Sequence, residues 1–218
     1  MRSLLLLNGS PRGARSNSMK MLTRLGEGWV AAGGAEPQVC HLAVATEFRS
    51  ALAAYAEAGT VLLGMPLYTD SMPALVLSFI EALPAGGTQP TLGFLVQSGF
   101  PEAAHSRPLQ RYLEKLALRL GAPCAGTIIR GHGESLQARP EPASAKLWAQ
   151  LRVLGGQLAR DGAFSAPELR AVAGMERFPP IAAALLQLVL TLPISQRSWT
   201  SQMRENGAYE RRFATPYA

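Results

Sequence analysis

Residues 8–18 combine small, hydroxylated and cationic residues in a pattern suited to binding an anion. They read Asn-Gly-Ser-Pro-Arg-Gly-Ala-Arg-Ser-Asn-Ser and precede an amphipathic segment. Gly9 and Gly13 permit tight turns, while helix N–H groups, the helix dipole and arginine charge attract phosphate. The segment has neither a Walker A ending nor a GxGxxG spacing. It therefore predicts a phosphate site of another kind, the alternative being a loop rich in capping residues.

Two later segments could line a flat ring. Residues 65–73 place apolar and aromatic side chains on a turn stiffened by prolines, and in residues 97–101 Gly99 allows close approach of the backbone. The plainer alternative for the first segment is that Leu67 and Tyr68 only cover the edge of a sheet. Together with the phosphate loop, the two segments predict binding of a mononucleotide with a large planar base.

The elements that must position these loops alternate along the first 163 residues. Apolar runs predict strands at 4–7, 38–42, 60–64, 91–96 and 125–129. Amphipathic segments predict helices at about 18–32, 49–58, 71–83, 109–120 and 144–160. This alternation predicts a doubly wound α/β domain with a parallel sheet. Five strands favour the flavodoxin-like order 2-1-3-4-5, in which the loops after strands 1, 3 and 4 form one continuous rim.

The helix starts can be assigned from capping residues. Asn17 or Ser18 is expected to cap the first helix, and Asp70 or Ser71 the third, with Pro73 in its first turn. Helix starts matter here because the proposed phosphate loop leads directly into one of them.

The three loops, taken in order, resemble those of the NAD(P)H-dependent FMN reductase family of flavodoxin-like flavoproteins. The resemblance rests on residues 9–12 with 16–18, on 66–73 and on 98–102. It implies FMN as cofactor and NAD(P)H as co-substrate. It implies that the FMN phosphate is held by Ser10, Arg12, Ser16, Asn17 and Ser18. It implies that the ring lies against Pro66, Leu67, Tyr68 and Thr69, with Ser98, Gly99 and Phe100 at its other edge.

The activity that the resemblance implies is hydride transfer from NAD(P)H to bound FMN and onward to a small acceptor, such as a quinone, a nitro or azo compound, or free flavin. No catalytic side chain is assigned, because a flavin supplies its own electron sink. A non-enzymatic, flavodoxin-like electron-transfer protein is the alternative. A pI near 9.8 counts against it, since flavodoxins have strongly acidic surfaces. A hydrolase on a similar sheet is disfavoured because GxSxG is absent.

Composition and charge restrict the remaining classes. The chain has 218 residues and carries a net charge of +6. Its hydrophobic fraction of 48% is enough for a sizeable core, which excludes a disordered or disulfide-dependent protein. Five basic residues precede the first acidic residue, Glu27, so the excess charge surrounds the phosphate loop and predicts no nucleic-acid surface. Neither a signal peptide nor a membrane span is predicted, and the cytoplasm is the expected location. Cys40 and Cys124 are expected to be buried free thiols, and no metal site is expected.

Residues 164–218 break the alternation and predict a helical extension that serves in dimerisation or as a lid. The segment 181–192 is apolar apart from Gln187 and Thr191, so it is expected to be buried in a homodimer interface or over the flavin. The tail, with Trp199 and Asn206-Gly207, resembles the tails of some flavodoxin-like oxidoreductases.

The three histidines receive separate predictions. His41 is expected to be structural, and His105 could line the pocket. Residues 130–134, Arg-Gly-His-Gly-Glu, either form a glycine-rich turn or reach a neighbouring flavin in a dimer, and the turn is the favoured alternative.

Overall fold

The computed structural model describes residues 3–83, 86–133, 136, 141–191, 195 and 197–215. Two compact units make up the chain, Met1–Glu176 and Arg177–Ala218. The first unit contains the whole sheet and continues past the predicted boundary at residue 163. Among the described residues, no helix combines the length and the apolar composition that crossing a membrane requires.

A five-stranded sheet forms the centre of the first unit within the described residues. Its strands are β1 (Leu4–Asn8), β2 (Gln38–His41), β3 (Thr60–Pro66), β4 (Thr91–Gln97) and β5 (Cys124–Arg130). The order is β2-β1-β3-β4-β5 and every neighbouring pair is parallel, which confirms the predicted flavodoxin-like fold. β3 and β4 run further than predicted, so Pro66 and Gln97 are the last residues of strands rather than loop residues.

Helices cover both faces of the sheet. They are α1 (Asn17–Ala31), α2 (Ala45–Glu57), α3 (Ala74–Glu81), α4 (Arg107–Arg119), α5 (Glu141–Asp161) and α6 (Ala166–Ala173). Leu5 and Leu7 of β1 belong to the core cluster with α2, α3 and α4, while Leu4 and Leu6 belong to the cluster with α1, α5 and α6. Successive side chains of a strand point to opposite faces of the sheet. Because helices cover both faces here, every residue of this run faces a core, which explains why the strand is continuously apolar.

The predicted caps of α1 and α3 are wrong by a few residues. Ser16 caps α1, since its hydroxyl accepts a hydrogen bond of 3.1 Å from Met19 N after a short 3₁₀ turn at Gly13–Arg15. α3 begins after Pro73 because the backbones of Tyr68 and Ser71 pair with each other at 2.9 and 3.0 Å. The sequence does not show these local turns, which set where each helix starts.

Glycines bring α1 and α5 into direct backbone contact. A Cβ on Gly28 would lie 1.9 Å from the carbonyl oxygen of Arg152, and a Cβ on Gly155 would lie 1.9 Å from that of Leu25. Glu27 on α1 also pairs with Arg24 and, at 2.7 Å, with Arg152. Burial alone would raise the pKa of Glu27, but these hydrogen bonds outweigh it and hold that pKa below its ordinary value.

The expectation of two buried cysteines is correct for Cys40 and wrong for Cys124, which is exposed. Cys124 is the first residue of the edge strand β5, so fewer neighbours cover it. Burial raises the pKa of the Cys40 thiol, and partial burial raises that of Cys124. Neither thiol is therefore activated as a nucleophile.

The second unit contains α7 (Pro180–Thr191), α8 (Arg197–Glu205) and a 3₁₀ turn at Tyr209–Arg211. The apolar helix is exposed in the single chain, and its burial in a homodimer interface or over the flavin stays a prediction. Ile181 is 77% exposed, Leu185 58% and Leu188 62%. The predicted end of this segment, Leu192, lies outside the described residues.

Candidate functional site

The side chain of Asn8 holds the loop that follows β1. It is fully buried, donates through Nδ2 to the carbonyl of Gly13 at 2.8 Å, and accepts through Oδ1 from Ser10 N at 3.2 Å. The Ser16 hydroxyl also donates to Oδ1, at 3.3 Å. Three points of the loop are thus attached to one side chain at the end of a buried strand.

Two further contacts fix the base of this loop. A Cβ on Gly9 would lie 2.3 Å from Cγ2 of Val76, so the close packing there requires glycine. Asn8 Nδ2 lies 3.0 Å from His41 Nδ1, and the His41 backbone N–H donates to the Glu47 carboxylate at 2.7 Å. His41 therefore supports the loop from β2, in keeping with the structural role predicted for it.

The loop delivers the start of α1 to the carboxyl edge of the sheet. The first N–H groups of a helix have no acceptor within the helix and carry its positive dipole end. The first turn of α1, residues 17–20, lies wholly within the described residues and contains no acidic side chain. Arg12, which is exposed, lies in the loop that precedes this turn. The arrangement suits an anionic group such as phosphate.

A cleft opens where the loops after β1, β3 and β4 meet. It is lined by Ser10, Arg12, Asn17, Pro66, Leu67, Tyr68, Gln97, Ser98 and Gly99. Eight of these are among the twelve residues named from the sequence. Gln97 belongs to the segment 97–101 that the sequence assigned to the ring, but it was not named as a site residue because the family resemblance begins at Ser98. The sequence signal that could have identified Gln97 is its position as a polar residue at the end of an apolar strand, two positions before Gly99.

The other four predicted residues lie outside the lining of this cleft. Ser16 is buried as the cap of α1, and Ser18 is buried with its hydroxyl unpartnered among the described residues. Thr69 occupies a tight turn with φ of 47°. Phe100 is half exposed and stacks on His105, with ring centroids 4.4 Å apart. His105, which could have lined the pocket, instead packs on Phe100 and lies 3.3 Å from Glu102.

The glycine-rich segment after β5 packs against the loop after β4. Gly133 N donates to the carbonyl of Ser98 at 2.7 Å, and His132 N donates to that of Phe100 at 2.7 Å. A Cβ on Gly131 would lie 2.6 Å from the carbonyl oxygen of Pro101. These contacts favour a glycine-rich turn, which was the preferred alternative for residues 130–134. Glu134 lies outside the described residues.

Asn17 joins the first loop to this turn. Its Nδ2 donates to the carbonyl of Gly133 at 2.8 Å, and its Oδ1 is left without a hydrogen-bond partner among the described residues. The Oε1 atom of Gln97 is likewise buried and unpartnered. Buried polar atoms in native proteins almost always have partners, so these two acceptors are unusual features of the residues around the cleft.

A larger cavity, of about 420 Å³, lies beside α1 and β2. Its lining is mainly apolar, including Val30, Pro37 and Val39, and its charged residues are Glu27 and Glu36. An acidic and apolar lining does not suit a phosphate, which favours the smaller cleft as the functional site. Within the described residues, no group of three or more His, Cys, Asp or Glu is placed to hold a metal ion.

Comparison with solved structures shows the same fold in several flavoenzymes. An NADH:FMN oxidoreductase in its apo form matches with a TM-score of 0.57 and 17% identity, covering 83% of this chain and 98% of that one. An FMN-dependent NADH-azoreductase from Bacillus anthracis, in complex with FMN, matches with a TM-score of 0.55 and 12% identity, covering 73% and 100%. An NAD(P)H:quinone oxidoreductase from Methanothermobacter marburgensis gives 0.57 and 16%, covering 72% and 96%.

Comparison by sequence adds no relative. No family model matches the chain, and no curated protein matches it. At identities below 20%, the structural matches establish the fold, and the chemistry has to be argued from the cleft itself.

Proposed function

We propose that the chain is an NAD(P)H-dependent oxidoreductase that binds FMN in the cleft between the loops after β1, β3 and β4. The observation that carries the proposal is the convergence of three different chemistries in one cleft. Arg12 and the start of α1 offer positive charge to a phosphate, Pro66 and Leu67 offer an apolar surface, and polar side chains such as Asn17 complete the lining. Phosphate, planar ring and hydroxylated chain are the three parts of FMN.

The phosphate would be held by the first loop. Ser10 and Arg12 line the cleft directly, and Asn17 and Ser18 offer the first N–H groups of α1. Ser16 shapes the loop through its bonds to Asn8 and Met19 rather than through the cleft. The Ser18 hydroxyl is buried outside the lining of the cleft, and its contact with phosphate stays a prediction.

The ring would lie between the second and third loops. Leu67 is buried while Tyr68 is half exposed, so Leu67 would form an apolar floor for the ring and Tyr68 an exposed aromatic edge. Leu67 N donates to the carbonyl of Gln97 at 2.8 Å, which ties the two loops together. Ser98 and Gly99 would form the opposite edge, while Thr69 and Phe100, which lie outside the lining of the cleft, stay predicted contacts.

Bound FMN would supply the redox chemistry, accepting a hydride from NAD(P)H and passing reducing equivalents to a small acceptor such as a quinone, a nitro or azo compound, or free flavin. The chain's own part is to orient the ring and to stabilise negative charge with backbone N–H groups of the third loop. The structural neighbours that are named as quinone reductases and azoreductases support this choice of acceptors.

We also propose that the protein works as a homodimer in the cytoplasm. The apolar residues of α7 that are exposed in the single chain need a cover, and a second copy would provide it. A lid over the flavin is the alternative use of the same segment. Light scattering should give a dimer that dissociates in a Leu185→Glu, Leu188→Glu variant. Leu118→Glu, at a leucine of the first unit that is even more exposed, should leave the dimer intact.

The test of the proposed function is a titration of purified protein with FMN, followed by flavin fluorescence. We expect the protein to turn yellow and to bind FMN with saturation. The Arg12→Ala variant should bind FMN about tenfold more weakly, since a charge-assisted contact to phosphate is lost, and should bind riboflavin unchanged. Failure of the wild type to bind FMN would overturn the proposal. Bound flavin that neither NADH nor NADPH reduces would favour the electron-transfer alternative.

A further inference from the structure

Another cavity borders the turn after β3 that also lines the candidate FMN cleft. Its volume is about 390 Å³, which lies within the range of small-molecule sites. The turn contributes Asp70, Ser71 and Met72 to its lining, α3 contributes Leu77, and α4 contributes Pro108 and Tyr112 among others. We propose that this adjoining cavity binds the adenosine half of the nicotinamide co-substrate and that Asp70 makes the protein prefer NADH to NADPH. The proposal rests on the proposed function.

One tight turn separates the adjoining cavity from the FMN cleft. Tyr68 lines the cleft, whereas Asp70 lines the cavity. The backbones of Tyr68 and Ser71 pair with each other at 2.9 and 3.0 Å, so only this four-residue turn lies between the two sites. Hydride transfer requires the nicotinamide to lie against the flavin ring. The rest of the dinucleotide must therefore extend past the edge of the cleft, and the adjoining cavity lies at that edge.

The backbone of the turn has an unusual conformation where it reaches the cavity. Thr69 has φ of 47° and Asp70 has φ of 63°, both in the left-handed region. Aspartate adopts this conformation more readily than most residues, but a β-branched threonine rarely does. Strain of this kind is concentrated at sites that hold ligands. The conformation of the turn thus agrees with a binding role for the wall that Asp70 belongs to.

The charge of the adjoining cavity decides which dinucleotide fits. Asp70 is the one charged residue in the described part of its lining, and a carboxylate can accept hydrogen bonds from both free hydroxyls of a ribose. NADPH carries a phosphate at the 2′ position, which would face the like charge of Asp70. Arg107, next to Pro108, does not offset this charge, because its guanidinium binds the Glu176 carboxylate at 2.6 to 3.2 Å. Arg111 is not among the described lining residues.

The apolar part of the adjoining cavity suits a purine. Tyr112 is 50% exposed and Leu77 41% exposed, and both lie in the lining. A purine that stacks on the tyrosine ring would remove this apolar surface from water. The cavity therefore offers one partner for each part of adenosine, an apolar surface for the base and a carboxylate for the ribose hydroxyls.

The test uses ADP-ribose and its 2′-phosphorylated form, which differ by one phosphate and contain no nicotinamide. Each is titrated by calorimetry into wild type, with and without FMN. We expect ADP-ribose to bind with saturation and the phosphorylated form to bind at least about tenfold more weakly, because a hydrogen bond to a charged group is replaced by repulsion. In the FMN-loaded protein, kcat/KM for NADH should exceed that for NADPH by a similar factor.

Two charge-removing variants separate Asp70 from other acidic residues. Asp70→Asn preserves the turn, since asparagine also tolerates positive φ, and should reduce the difference between the two ligands to about threefold or less. Glu81→Gln removes the same charge from an exposed residue at the end of α3, outside the described lining, and should leave the difference unchanged. Tyr112→Ala should weaken both ligands alike, about tenfold, because one stacking surface is lost.

Three results would overturn the proposal. They are failure of wild type to bind ADP-ribose in either form, equal or tighter binding of the phosphorylated ligand, and an unchanged difference between the ligands in Asp70→Asn. A protein that binds ADP-ribose with the expected preference but takes up no FMN would support the assignment of the adjoining cavity and refute the proposed function.

Discussion

Replacing Asn8 by leucine tests whether one buried side chain shapes the phosphate loop. Asn8 makes three hydrogen bonds to that loop, at 2.8, 3.2 and 3.3 Å, and a fourth contact at 3.0 Å to His41. Leucine has the same branching and the same number of heavy atoms, so no cavity forms, although its two methyl groups are bulkier than the amide. At about 1 kcal/mol for each bond, the three loop contacts amount to about 3 kcal/mol.

We expect the lost hydrogen bonds to lower both the free energy of unfolding and the affinity for FMN. We expect Asn8→Leu to lower the free energy of unfolding by about 2 kcal/mol in urea denaturation. It should also weaken FMN binding by about tenfold, which corresponds to about 1.4 kcal/mol, because the loop no longer holds its N–H groups in one arrangement. Ser10 N and the Gly13 carbonyl would have to find water instead.

Asn206 offers a matched control, since its Nδ2 also donates to a backbone carbonyl but the residue is exposed. Asn206→Leu should change the unfolding free energy by less than about 0.5 kcal/mol and leave FMN affinity unchanged. The reasoning is refuted if Asn8→Leu loses stability but binds FMN as tightly as the control.

Three further predictions concern the fold. Gly155→Ala should destabilise the protein by about 2 kcal/mol or more, because its Cβ meets a backbone carbonyl at 1.9 Å. Gly156→Ala should be neutral or stabilising in the same urea titration, because its Cβ would meet the flexible Arg160 side chain at 3.1 Å and the Gly28 carbonyl only at an ordinary contact distance of 3.6 Å. Burial raises the pKa of Tyr55 to about 12. Between about pH 10 and pH 12 the phenol therefore ionises mainly in the unfolded protein, so the free energy of unfolding should fall as the pH rises through this range. Tyr55→Phe should lose this contribution to the pH dependence. Iodoacetamide should label Cys124 before Cys40 in the native protein, slowly at neutral pH; equal rates would contradict the difference in burial.

The sheet was predictable because its signal is local and repeated. Each strand is a short apolar run, each crossover is an amphipathic helix, and the rules for parallel sheets leave few arrangements. The position of the three loops followed from the strand order. What the sequence could not provide was the exact ends of the strands, since Pro66 and Gln97 are the last residues of β3 and β4 rather than loop residues.

Other features depend on contacts between distant segments. The cap at Ser16 depends on a 3₁₀ turn that Asn8 holds, and the exposure of Cys124 depends on β5 being an edge strand. The orientation of Asn17 depends on Gly133, more than 100 positions away in the sequence. Neither composition nor periodicity contains this information.

The excess positive charge is divided between the two units of the chain. Residues 177–218 carry five arginines and two glutamates, so the second unit has a net charge of +3 of its own. The prediction that the excess surrounds the phosphate loop is therefore incomplete. The first unit carries the other +3, with the basic cluster before Glu27 offset by acidic residues further along.

An anaerobic titration of the FMN-loaded protein with NADH and with NADPH tests the central claim most directly. The account predicts that at least one of the two nucleotides bleaches the bound flavin stoichiometrically, and that adding a quinone or an azo dye restores the yellow colour. A protein that binds FMN but stays yellow with both nucleotides would contradict the proposal that it is a reductase. A protein that never takes up FMN would contradict the assignment of the cleft.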